Sequence, residues 1–139
     1  MFKHIMVPVD LAHEGRLDRA LDVAADLAAH YGARVTYVGV TVPQPSSVAH
    51  NPQEFAEKLA RFAAVQGETR AVAAPASHPI VSHDPAIDLD KKLLAAAEEL
   101  KADLIVMGSH IPRFLYLRSH GGHLASLSHH SVMLVRDET

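Results

Sequence analysis

Cysteine is absent from the 139 residues, and with it go disulfide scaffolds, thiolate zinc sites, iron–sulfur clusters and cysteine nucleophiles. An excess of positive charge is lacking as well. Thirteen Lys and Arg stand against sixteen Asp and Glu, a net charge of −3, too little positive field to hold a polyphosphate backbone by counterion release, so no nucleic-acid partner is expected. No run approaches the ~18 apolar residues of a membrane span, and Met1 to Asp10 lacks the apolar stretch and small-residue cleavage site of a signal peptide. A cytoplasmic protein with no membrane partner is the expectation. Catalytic signatures are missing too: there is no Gly-x-Ser-x-Gly elbow, no His-Glu-x-x-His, no Gly-x-x-x-x-Gly-Lys phosphate loop and no Gly-x-Gly-x-x-Gly after a strand. Enzymatic activity is not expected.

What is present is the composition of a folded domain, with 48% hydrophobic and 21% charged residues. The length suits a single domain over 1–139, large enough to bury about two-thirds of the surface its unfolded chain exposes. Eleven histidines are the compositional oddity; they make the charge sensitive to pH between about 5 and 7. Of these, His4, His13, His30 and His50 read as scattered surface positions.

Apolar periodicity orders the chain. Ile5–Val9 is short, β-branched and halted by Asp10, as a strand buried on both faces would be. Leu17, Leu21, Ala24, Ala28 and Tyr31 then recur at helical spacing up to Gly32. Val35–Val42 is a second strand, closed by Pro43, and the Pro/Ser-rich stretch from Pro43 to Pro52 reads as a functional loop. A helical stripe of Phe55, Leu59, Phe62, Ala63 and Gln66 runs to about Gly67; Ala71–Ala76 fits no single element. A short strand at Pro79–Ser82, a helix carrying Leu89, Leu93, Leu94, Ala97 and Leu100, a strand at Leu104–Met107, a short helix with Leu124, Ala125 and Leu127, and a last strand at Val132–Val135 complete the pass. Strands that are continuous apolar runs, alternating with helices, predict a doubly wound α/β domain: a five-stranded parallel sheet with helices on both faces and right-handed crossovers.

In such sheets ligands bind beyond the carboxyl ends of the strands, where strand order reverses. That directs attention to Asp10, to Val40–Pro43 and to Gly108–Gly122, which holds three of the seven glycines. Glycine lets backbone amides curl around an anion ahead of a helix N-terminus. Each of these residues also has a purely structural reading: Asp10 as a cap on the turn that follows, Gly108 as a tight turn, Ser119 with Gly121 and Gly122 as a helix cap.

Val7-Pro8-Val9-Asp10, Asp103-Leu-Ile-Val-Met-Gly-Ser-His110 and Ser131-Val-Met-Leu-Val-Arg136 together resemble the universal stress protein family, in the same order and at similar spacing over essentially the whole chain. The resemblance implies a stress-response binding or signalling module, a homodimer joined through Val132, Met133, Leu134 and Val135, and an adenine-nucleotide site for ATP or AMP. In that site Asp10 and the Val40 backbone flank the adenosine, Pro8 and Val9 form its floor, and Gly108, Ser109 and His110 open the phosphate loop. Its glycine pattern is degenerate: Ile111 and Pro112 stand where the family has glycine, and either Ser119 or Gly121 with Gly122 takes the closing position. Weak binding is the consequence. Slow ATP hydrolysis on the same fold and a ligand-free protein-interaction module are the alternatives.

His110, His120, His123, His129 and His130 raise the question of a metal. His123 and His130 would lie roughly 10 Å apart along a continuous helix, whereas zinc ligands converge at about 2 Å on one ion. No metal is expected.

Overall fold

A computed structural model describes residues 1–108 and 130–136. Because Ile5–Val9 is apolar on both sides, it belongs at the centre of the sheet, and strand β1 (His4–Val9) has all six residues buried. It runs parallel to β2 (Arg34–Thr41), in register from His4↔Arg34 to Val9↔Gly39, and to β4 (Leu104–Gly108) through Ile5↔Leu104 and Met6↔Ile105. With β3 (Pro75–Val81) and β5 (Ser131–Val135) these strands form the expected five-stranded parallel sheet, in the order β3-β2-β1-β4-β5.

Parallel neighbours need crossovers, which α1 (Asp18–Tyr31), α2 (Pro52–Thr69) and α3 (Pro85–Leu100) supply. Alternation along the strands sorts the side chains. Ile5, Val7 and Val9 enter one core layer with Leu21 and Ala24 of α1 and Phe55 and Leu59 of α2, while Met6 and Met107 enter the other with Leu89 and Leu93 of α3. The stripe expected on α2, from Phe55 to Gln66, is the buried one.

Several boundaries differ from the expectation. The first helix is preceded by a separate 3-10 segment, Leu11–Arg16, and α1 itself ends at Gly32 in the left-handed region (φ 66). The β3 strand starts at Pro75, because the ambiguous Ala/Pro stretch pairs with β2 from Val35↔Pro75 onward. Only an edge strand tolerates Pro75 and Pro79, which have no N–H to give. The α3 helix begins four residues before Leu89, with Pro85 in its first turn, where a missing N–H costs nothing. The outer strands are not buried on both faces: exposed and half-buried residues alternate along β5 until Val135. The expected helix at Leu124–Leu127 lies outside the described residues.

His4 corrects the surface reading. It is 5% exposed, with Nδ1 2.9 Å from the Leu100 carbonyl and Nε2 2.6 Å from Thr36 Oγ1. A carbonyl can only accept, so Nδ1–H donates to it and Nε2 accepts from the Thr36 hydroxyl. Burial lowers the His4 pKa below the ordinary 6.5; the Leu100 bond opposes that, the Arg34 guanidinium adds to it, and Asp103 opposes it again. Asp103 is itself held below the usual carboxylate range: burial pushes it up, but the Lys3 and His4 amides outweigh burial by bonding its two oxygens at 2.9 and 3.1 Å. Tyr37 is fully buried, its ring edge-on to Phe62, and burial raises its phenol to about 12.

A depressed histidine pKa means that the unfolded chain takes up the proton first. The stability His4 contributes is therefore complete above about 6.5 and lost as pH falls through its folded value. Thermal melts between pH 7 and 5 should show a fall in Tm that flattens in His4→Gln. An unchanged slope in the variant would contradict this assignment.

Candidate functional site

The chain leaves β1, travels outward to β2 and β3, then returns to β4 and β5, so strand order reverses between β1 and β4. The β1–β4 ladder covers Ile5 and Met6 only, whereas β1 stays paired with β2 as far as Val9. Pro8, which has no N–H to donate, falls where the ladder to β4 has stopped. The hydrogen-bonded ladder between the two strands thus stops short of their carboxyl ends, and the end of the strands at a topological switch point is where this architecture takes ligands.

Asp10 follows directly. Its Oδ1 accepts from the Ala12 amide at 3.0 Å, and its Oδ2 lies 2.8 Å from His13 Nδ1. The capping reading of Asp10 is therefore realised. An ionised carboxylate has about four lone-pair sites; with two engaged by the turn, two remain for an incoming donor, and the Asp10 side chain keeps 21% of its surface exposed.

Above this turn lies a cavity of about 180 Å³, walled by Asp10, Leu11, Val40, Val42, Phe55 and Pro85. Its outer side is the Pro43–Pro52 loop, folded on Ser46: the Ser46 amide donates to the Ala49 carbonyl at 2.8 Å, and the Ser46 hydroxyl receives the Val48 and Ala49 amides. Ala49 is 4% exposed, so this loop is pinned to the body. Gly39 makes the wall. A Cβ there would stand 2.8 Å from the tip of the Phe55 ring, so glycine lets that ring approach β2 this closely.

The sequence-expected residues divide. Asp10 and Val40 line the cavity. Val9 is 5% exposed and turns its side chain into the core, so Pro8 and Val9 lie beneath as strand backbone rather than as lining side chains. Gly108 ends β4 without a positive φ, and a Cβ there would meet only the Ala20 Cβ, at 3.7 Å. Neither torsion nor crowding requires glycine at this position. Ser109, His110, Ser119, Gly121 and Gly122 lie outside the described residues, as do four of the five C-terminal histidines; the fifth, His130, donates from Nδ1 to the Ala102 carbonyl. Sequence reasoning missed Leu11, Phe55 and Pro85. The signal for Phe55 was Gly39, since an isolated glycine inside a β-branched run marks a close approach.

Among the described residues, two larger hollows accompany this cavity. One of about 220 Å³ lies at the opposite end of the strands, lined by Gly32, Arg34 and a run of alanines from Ala25 to Ala74. The other, about 590 Å³, opens beside the first cavity and shares Leu11, Ala12, Ser47 and Val48 with it. Neither contains the carboxylate at the switch point. Among the described residues no three His, Asp or Glu gather as a metal site would require, and no helix is long and apolar enough to cross a membrane.

Residues 1–136 match the Universal stress protein family. The chain belongs to that family. Solved universal stress proteins share its fold: one from Burkholderia pseudomallei is 25% identical, covering 96% of this chain and 95% of its own, with a TM-score of 0.69. Another, crystallised in complex with cAMP, is 21% identical over 96% of this chain and 97% of its own, with a TM-score of 0.68. A third, from Archaeoglobus fulgidus in complex with dAMP, is 21% identical with the same coverage and a TM-score of 0.64. A search of curated proteins found no match.

Proposed function

We propose that this universal stress protein, acting as one domain over residues 1–139, binds an adenine nucleotide weakly at the end of β1 and signals by occupancy rather than by turnover. The observation that carries the reading is the cavity itself: an apolar slot between Val40, Val42 and Phe55, bounded by a carboxylate with two unfilled acceptor sites. A flat base suits the slot, and sugar hydroxyls suit the carboxylate. The cAMP and dAMP complexes of related folds support this choice of ligand. Gly108, bare without any internal need to be, fits a backbone that a ligand approaches, with Ser109, His110, Ser119, Gly121 and Gly122 carrying the phosphates.

The phosphate side is the weak half. Pro112 has no amide proton and Ile111 brings a side chain where the family uses bare glycine. Losing the Pro112 donor, about 1.5–3 kcal/mol to a charged acceptor, costs roughly ten- to a hundredfold in affinity, and the Ile111 side chain obstructs the approach further. Calorimetry on unfolded and refolded protein should find ATP and AMP binding alike, Asp10→Ala weakening both, and Ile111→Gly with Pro112→Arg strengthening ATP selectively. Tight ATP binding with AMP a hundredfold weaker would overturn this reading, release of ADP would favour the slow hydrolase, and no binding of either would favour an interaction module.

We further propose a cytoplasmic homodimer through β5. Among the described residues β3 and β5 are the outer strands, but β3 is blunted by Pro75 and Pro79 while β5 has no proline and leaves Met133 39% exposed. Antiparallel pairing of Val132–Val135 about a two-fold axis satisfies both edges. Sedimentation at tens of micromolar should show a dimer that Met133→Lys converts to monomer; a monomeric parent protein would refute the pairing.

A further inference from the structure

The 590 Å³ groove is formed by three elements: the 3-10 segment with Leu11 and Glu14, the loop at Val48, and one stripe of α2 carrying Lys58, Arg61, Phe62 and Val65. Those α2 residues follow the i, i+3, i+4, i+7 spacing that puts side chains on one helix face. Phe62 is 8% exposed at the bottom, whereas Val65 is 46% exposed, one of few large apolar side chains left open.

The charge of this groove differs from that of the molecule. The chain carries −3 overall, yet two cations and one acid line the groove. Lys58 is committed: its ammonium donates to the Val48 carbonyl and pairs with Glu54 at 3.3 Å, holding the loop against α2. Arg61 is exposed and has no ion pair or hydrogen bond among the described residues. The groove is mixed, with Leu11, Val48, Phe62 and Val65 among polar neighbours, and a planar guanidinium beside those apolar side chains matches a ligand with a carboxylate at one end and a hydrocarbon body at the other. The volume falls within the range of about 300–1,000 Å³ usual for small-molecule sites.

We propose that this groove binds a small amphipathic anion, a medium-chain carboxylate, as a second site outside the nucleotide cavity. The chain lies along Phe62 and Val65 toward Leu11 and Val48, and the carboxylate meets Arg61. The probe is decanoate, below its micellar range, titrated calorimetrically into the full chain. One site per chain is expected, with octanoate about tenfold weaker for the loss of two buried methylenes. Arg61→Gln should weaken decanoate about fivefold while leaving 1-decanol unchanged, and Val65→Asp should abolish the binding of both. Absence of decanoate binding at millimolar concentration, or an Arg61→Gln loss equal for acid and alcohol, would each overturn the proposal.

Discussion

The central strand is hydrogen-bonded to both neighbours only as far as Met6, and the cavity at its carboxyl end lies beyond that point. Up to Met6, β1 is held by β2 on one side and β4 on the other; beyond it, only β2 continues the ladder. A fully buried strand cannot simply stop, because its terminal polar groups need partners. The chain folds back directly after the strand, the Asp10 carboxylate receiving the Ala12 amide and the Asp10 carbonyl receiving the His13 amide at 3.0 Å. The turn that ends the strand therefore sets a charged acceptor at the cavity. In this place the structural and the ligand-binding uses of Asp10 are compatible, since the turn leaves lone pairs unspent.

The opposite end of β1 is closed. Asp103 receives the Lys3 and His4 amides, the Asp103 amide returns a bond to the His4 carbonyl at 3.0 Å, and the His4 ring joins Thr36 of β2 to the end of α3. Three elements are tied at the amino end, whereas toward the other end the β1–β4 ladder has stopped at Met6. The tied end fixes strand register, and the opposite end carries the Asp10 turn and the cavity above it. The amphipathic groove belongs to the same end, because the loop that caps that cavity is also the wall that Lys58 draws onto α2.

Much of this was legible in the sequence. Apolar runs four to eight residues long, alternating with helical stripes, announced the parallel sheet, and the strand end at Asp10 was among the places where a ligand was looked for. Edges were harder. Pro79 looks like the start of a strand when local propensity alone is weighed, but pairing with β2 extends β3 back through Ala76 to Pro75, and pairing is not written locally. His4 was misread for a related reason: a polar residue at a strand's first position looks solvent-facing until Thr36 and the Leu100 carbonyl, distant in sequence, are brought to its two nitrogens. Phe55 was recognised as core yet not as a cavity wall, since nothing along α2 shows that Gly39 has made room for its ring.

The most direct measurement of the central claim is a titration of AMP followed by backbone amide resonances. If the cavity at the end of β1 is the nucleotide site, the largest shifts should fall on Ala12, Gly39, Val40, Thr41 and Gly108, with His78 and Ala71–Ala74 unmoved. Shifts concentrated at the alanine-lined hollow on the other end of the sheet, or none at saturating AMP, would contradict the account.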